Sequence, residues 1–297
     1  MNLYRYPGET QILDDAIRAS TSGEYVQLSD GITHYELAGP EDAQTIVLVH
    51  GFSISYQIWD SVFAALVEGG FRVLRFDLYG RGTSDRLRIS YNQDLFDRQL
   101  LDIFNVLQLG HSVDLIGLSL GGSISAIFCD RHPELVRRLV LIDPTGFQLK
   151  IPVWTKLLLL PVLGELAFGL IGEKVLLSSM IKDYYGGDGY PEYVEIVRQQ
   201  MKIVGYRYAL LSTIRQGMLG EIPGTYRRIG ERNFPVLLIW GTEDRVIPFE
   251  ISEKVCEAIQ TIEFHPIHGA GHVPHCEQPQ LVNPIIMEFL QRGTVSF

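Results

Sequence analysis

The sequence is poor in cysteine. Its three thiols, Cys129, Cys256 and Cys276, stand far apart, odd in number and without a C-x-x-C pair. That excludes a disulfide framework or a zinc site and leaves them as small buried hydrophobes of a cytoplasmic protein. Basic residues are scarce too: 25 Lys and Arg face 35 Asp and Glu, a net charge of -10, so no nucleic-acid partner is expected. The opening "MNLYRYPGETQILDDAIRAS" lacks the basic start and apolar core of a secretory leader. It reads as a short amphipathic helix beginning near Glu9, within a helical extension of residues 1–22. Long uncharged runs are missing as well. The most apolar stretch, residues 151–181, is interrupted by Lys156, Glu165, Glu173, Lys174, Pro152 and Pro161. It falls short of the ~20 residues that span a bilayer and reads as covering helices, with peripheral contact with lipid left open. No fixed-period repeat is present, which excludes a solenoid.

What is present is alternation. "YVQLS" and "ITHYELAG" flank Asp30-Gly31 as an antiparallel pair would. "TIVLVH", "RVLRFDL", "VDLIGLS", "RRLVLID" and "VLLIWGT" are short continuous apolar runs, as in strands buried on both faces of a parallel sheet. Segments of helical periodicity separate them: Tyr56 to Val67, Asn92 to Leu109, Leu120 to Arg131 and Phe249 to Ile259. After "TIEFHP" a last helix runs from about Gln280 to Gln291. The fold class is therefore α/β, a mostly parallel central sheet flanked by helices. From Phe147 to Asn233 no strand-like run occurs. Residues 1–146 and 234–297 are read as the core domain, with 147–233 as a helical cap inserted between strands.

Gly117-Leu118-Ser119-Leu120-Gly121 joins a strand to a helix at the carboxyl edge of the sheet, where open α/β folds gather reactive groups. A serine on such a turn is exposed by a strained backbone, and small neighbours two residues away let strand and helix approach. A helix-capping serine in a tight turn would produce the same pattern. A hydroxyl becomes a nucleophile only beside a base. His272, in the glycine-bracketed "HGAGHVPHCEQP", is the first candidate, ahead of His275 and His268. A carboxylate must orient that base. Asp244, in "LLIWGTEDRVIP", is preferred to its neighbour Glu243, and to Asp143, which is read as tying its own Asp-Pro turn. "VLVHGFSIS" offers the backbone N–H of Phe52, to act with that of Leu120 on an oxyanion, while His50 holds the loop.

Together with "DLYGRGTSD" at Asp77 to Asp85, where Gly80 and Gly82 let the chain reverse, these four blocks resemble the α/β-hydrolase superfamily over residues 25 to 292. The resemblance implies a Ser119–His272–Asp244 triad. It also implies hydrolysis of short to medium carboxylic monoesters through an acyl-enzyme, as in carboxylesterases and monoacylglycerol lipase-like enzymes. Serine at the turn disfavours epoxide and halide chemistry. Carbon–carbon hydrolases of ring-fission dienoates often have Asn before the serine and Trp after the histidine. Here Leu118 and Val273 stand in those places. An acyltransferase or perhydrolase would share the triad, and a slow-turnover ligand receptor is the non-enzymatic alternative. No metal or organic cofactor is called for. Phe52, Phe147, Trp154 and Val246 are expected to line the substrate pocket of a monomer or homodimer.

Overall fold

The computed structural model describes residues 5–148, 158–182 and 190–292. Eight strands form one sheet: β1 (Glu24–Gln27), β2 (Ile32–Ala38), β3 (Thr45–Val49), β4 (Arg72–Phe76), β5 (Val113–Leu118), β6 (Val136–Ile142), β7 (Val236–Gly241) and β8 (Glu263–Ile267). Their order is β1-β2-β4-β3-β5-β6-β7-β8. The pairs β1–β2 and β2–β4 are antiparallel and the others are parallel. Every residue of β3, β5 and β7 is buried, which is why these strands read as unbroken apolar runs rather than as alternation.

The helices are α1 (Asp15–Ala19), α2 (Asp60–Glu68), α3 (Gln93–Val106), α4 (Leu120–Arg131), α5 (Leu163–Lys182), α6 (Pro191–Gln200), α7 (Tyr206–Arg215), α8 (Pro223–Glu231), α9 (Ile251–Ala258), α10 (Pro274–Glu277) and α11 (Pro279–Gln291). Val62 and Leu66 of α2 join Val282 and Ile286 of α11 in one apolar layer, with Ile46 and Leu48 of β3. Residues from α3, α4, α8 and α9 build the other layer, with Val47 and Val49 of the same strand. The sheet is thus sandwiched, and β3 marks the place where the chain turns to both sides, β4 on one flank and β5 on the other. A crevice opens at the carboxyl ends of strands around such a switch point.

Helices α5 to α8 fall between β6 and β7, and among the described residues no strand interrupts them. Helix α5 buries Phe168 and Met180 but exposes Leu163, Leu166, Leu170 and Ile171. Among the described residues no helix is long and apolar enough to cross a membrane.

The amino-terminal segment departs from the expected helix near Glu9. Helix α1 begins only at Asp15, where the Asp14 carboxylate accepts the Ile17 N–H at 3.0 Å. Glu9 is buried and accepts the backbone N–H groups of Tyr6, Gly205 and Arg207. Two of these open α7, so Glu9 satisfies donors that the helix start leaves without partners. Gln11 bridges to Ile203, pinning the segment along the inserted helices.

Ser119 alone separates β5 from α4, and its φ of 53° is one that side chains rarely adopt. So short a link presses the helix onto the sheet. A Cβ on Gly121 would lie 2.1 Å from the Val49 carbonyl oxygen, and one on Gly117 would lie 2.4 Å from that of Gly121. Both obstacles are backbone and cannot rotate away. Gly121→Ala should therefore destabilise the fold by about 1–3 kcal/mol, read as a lower urea midpoint with an unchanged slope. An unchanged midpoint would show that β3 and α4 can separate without cost.

Candidate active site

Three loops at the carboxyl ends of β3, β5 and β7, and a fourth after β8, meet around Ser119. Its N–H donates to the Ile142 carbonyl at 2.9 Å, while its own carbonyl accepts the N–H groups of Gly122 and Thr145. These bonds hold the left-handed turn from both sides. The loop after β3 passes alongside, close enough that a Cβ on Gly51 would stand 3.6 Å from that of Ser119. Among the described residues neither the Phe52 nor the Leu120 N–H finds an acceptor.

The loop after β7 carries Asp244. One carboxylate oxygen accepts the N–H groups of Val246 and Ile247, at 2.7 and 2.9 Å, and the other meets His272 Nδ1 at 2.8 Å. A carboxylate is an acceptor, so Nδ1 carries the proton and Nε2 is left with a lone pair. The loop bearing His272 is pressed against β7: a Cβ on Gly241 would lie 1.9 Å from the Gly271 carbonyl. Glu277 accepts the N–H groups of Gly271 and Val273, on both sides of the histidine, at 2.9 and 3.4 Å.

Ser119 and His272 line the same cavity of about 330 Å³. Its wall is largely apolar, from Ile54, Ile58, Leu176, Met180 and Val246, and Arg245 is the one permanently charged side chain among its described residues. Of the residues expected to line a substrate pocket, Phe52 and Val246 border this cavity. Phe147 does not. It stacks on Tyr226 with ring centroids 5.6 Å apart and borders a separate groove of about 580 Å³ between α8 and α9. The residues just before it are tied to the start of α8, where the Tyr226 hydroxyl donates to the Thr145 carbonyl and the Ile222 N–H to that of Gly146. Trp154 lies outside the described residues.

The other candidate groups have different surroundings. His275 is buried against Trp59, with burial pushing its imidazole down to about 3, and His268 is exposed away from the cavity. His50 donates from Nδ1 to the Gly51 carbonyl and accepts the Leu78 N–H at Nε2, joining the loops after β3 and β4. Burial lowers its pKa to about 4, so it stays neutral in that role. Asp143 does not tie its own turn as expected. Its carboxylate crosses to β7 and accepts the Gly241 N–H at 2.9 Å.

The pattern of the alpha/beta hydrolase family matches residues 46–285, from β3 into α11. The chain belongs to this family. A provisionally assigned 2-succinyl-6-hydroxy-2,4-cyclohexadiene-1-carboxylate synthase of Bacillus subtilis is 30% identical over 89% of this chain and 97% of its own. A 2-hydroxy-6-oxononadienedioate/2-hydroxy-6-oxononatrienedioate hydrolase of Paraburkholderia phymatum is 26% identical over 92% and 96%. Among solved structures, a Thermogutta terrifontis esterase superposes with a TM-score of 0.76 at 23% identity, covering 91% of this chain and 98% of that one. At that identity the likeness concerns the alpha/beta hydrolase fold.

Two supporting residues were not read from the sequence, because most of the groups they bind are backbone atoms, which no residue type announces. One is Glu277. The other is Arg81, fully buried in the turn after β4, which donates to the carbonyls of Phe52 and Tyr79 and to the Thr213 hydroxyl of α7. Burial lowers its pKa to about 10, and it remains a cation at neutral pH. The "GRG" triplet was the available signal, since a charge between two glycines of a tight turn has little room to reach water. Replacing Arg81 by Met keeps the apolar stem but removes three charge-assisted hydrogen bonds. Each is worth about 1.5–3 kcal/mol, offset in part by relief of the buried charge, so a net loss near 2 kcal/mol is expected in urea unfolding. A gain in stability would mean that desolvation outweighs those bonds.

Proposed function

We propose that this alpha/beta hydrolase cleaves short to medium carboxylic monoesters through an ester on Ser119. The observation that carries the reading is the buried Asp244–His272 hydrogen bond, whose imidazole shares one apolar cavity with a serine held at positive φ on a strand-to-helix turn. His272 Nε2 takes the serine proton as Oγ attacks the acyl carbon. Asp244 holds the imidazole tautomer and stabilises the imidazolium. The N–H groups of Phe52 and Leu120 stabilise the oxyanion, and the imidazolium passes its proton to the departing alcohol. Water, deprotonated by the same histidine, then releases the acid. A cavity near the lower end of the usual ~300–1,000 Å³ for ligand sites suits a small acyl group, and each methylene it buries is worth about 0.8 kcal/mol. The inserted helices supply Leu176 and Met180 to that wall and so bear on chain-length preference.

Carbon–carbon bond hydrolysis is the second reading, favoured by the name of the Paraburkholderia relative. Side-by-side assays on p-nitrophenyl esters of graded length and on a ring-fission dienoate separate the two. Turnover of the dienoate alone would overturn the ester proposal.

Ser119→Ala should abolish ester turnover and labelling by a fluorophosphonate probe while the protein stays folded. Asp244→Asn should cost ~10⁴-fold in kcat, as the wrong tautomer does in serine proteases, with far less loss for Asp143→Asn. Wild-type rates in pure Ser119→Ala protein would refute the nucleophile. In pH profiles, kcat/KM should fall on the acid side through a single protonation. Only neutral His272 accepts the serine proton, and His50 and His275 stay neutral to about 4 and about 3. A flat profile down to pH 5, with chemistry limiting, would count against His272.

A further inference from the structure

Behind the Asp244–His272 pair lies a second buried aspartate that the mechanism above leaves unused. Asp143 directly follows β6 with φ 42°, a left-handed backbone conformation, and is fully buried. One carboxyl oxygen of Asp143, one of Asp244 and a ring nitrogen of His272 all lie within 4.8 Å of one another. Two carboxylates so placed, away from water, carry one negative charge far more easily than two.

The donors decide which of them keeps it. Asp244 accepts N–H groups from Val246, Ile247 and His272. Asp143 accepts one, from Gly241, on Oδ1, and among the described residues Oδ2 receives none. An oxygen buried without a donor is where a carboxylic acid keeps its own proton. The charges around Asp143 act in the same sense: Asp244 faces it from the β7 loop and Glu277 from α10, with His272 the titratable neighbour. Burial and the Asp244 charge hold the Asp143 carboxyl well above the usual carboxylate range.

The geometry points to Asp143 as a neutral carboxylic acid that donates its proton to the Asp244 carboxylate, a positioning residue for the Asp244–His272 pair. The inference rests on the proposed role of that pair. With Asp143 as a fourth donor, the Asp244 carboxylate is fixed from β6 as well as from its own loop. The extra donor also makes Asp244 a weaker base. A proton taken up by His272 therefore stays on the imidazole, where the departing alcohol needs it, instead of passing on to Asp244.

The test has a spectroscopic arm and a kinetic arm. Infrared difference spectra of wild type minus Asp143→Asn at neutral pH should show the carbonyl stretch of a protonated carboxylic acid. Only carboxylate bands in that difference would overturn the proposal. This arm needs no turnover, so an enzyme inactive on every ester would sink the ester reading while leaving the protonation readable. Asp143→Ala, which removes the donor, should lower kcat by about 10–100-fold, the usual effect of losing an outer hydrogen-bond partner. KM should change little. Asp143→Asn keeps a neutral donor in place, so it should restore kcat to within a few-fold and leave the acid limb of kcat/KM where it is in wild type. If Asp143 were ionised, Asn would remove a negative charge near His272 and move that limb down by about one pH unit or more, and the proposal would fall. Equal loss in Asn and Ala would also overturn it. Should the Ala variant not fold, the infrared spectrum and the Asn profile still decide.

Discussion

Helix α4 begins so close to the end of β3 that no side-chain atom fits between Gly121 and the Val49 carbonyl. This contact sets the spacing of everything at the carboxyl edge of the sheet. It forces the chain to reverse from strand to helix at one residue, which lifts Ser119 out of the ordinary backbone regions and towards the crevice. It also brings the β3 loop, with Gly51 and Phe52, alongside the serine. The neighbouring turns are then arranged around that spacing: His50 reaches the turn after β4, and Arg81 in that turn reaches back to the Phe52 carbonyl. A tight steric fit at two glycines is thereby turned into a cleft with defined walls.

Electrostatics follow from the same burial. Asp77 shows how the core tolerates a charge: it accepts from His34, Tyr56 and Thr83, and these donors hold its carboxyl below the usual range although it is wholly buried. Asp244 likewise accepts three N–H groups, from Val246, Ile247 and His272. Asp143 has a single N–H and a negative neighbour, and its carboxyl is displaced the opposite way. Asp77 and Asp143 are thus displaced in opposite senses, the one among three donors and the other beside a second carboxylate with a single donor.

Much of this was legible in the sequence because it depends on local rules. Parallel strands announce themselves as short apolar runs, the reversal at Ser119 by its flanking glycines, and the loops of Asp244 and His272 by strand ends. What could not be read depends on partners far along the chain. Glu9 was read as a helix start, since nothing near it reveals that Gly205 and Arg207 require its carboxylate. Phe147 was expected to line the pocket. Its course is set by Tyr226, in a helix almost eighty residues later. Arg81 likewise depends on the distant Phe52 carbonyl and Thr213 hydroxyl, whereas Glu277 was missed for another reason: it binds nearby backbone N–H groups, which carry no sequence signature.

The position of β8 at the sheet margin carries a consequence for how the molecule comes apart. Ser119 stands over the middle of the sheet, flanked by strands on both sides, whereas His272 hangs from a half-exposed strand with one neighbour, β7. Marginal elements open at lower free energy than central ones. Under mild denaturant the segment that carries the imidazole therefore leaves before the central strands do, and the serine turn persists after its partner has gone. Such partly opened molecules would keep nearly all of their helix and sheet signal, so a spectroscopic melt would overstate the range over which the cleft is complete.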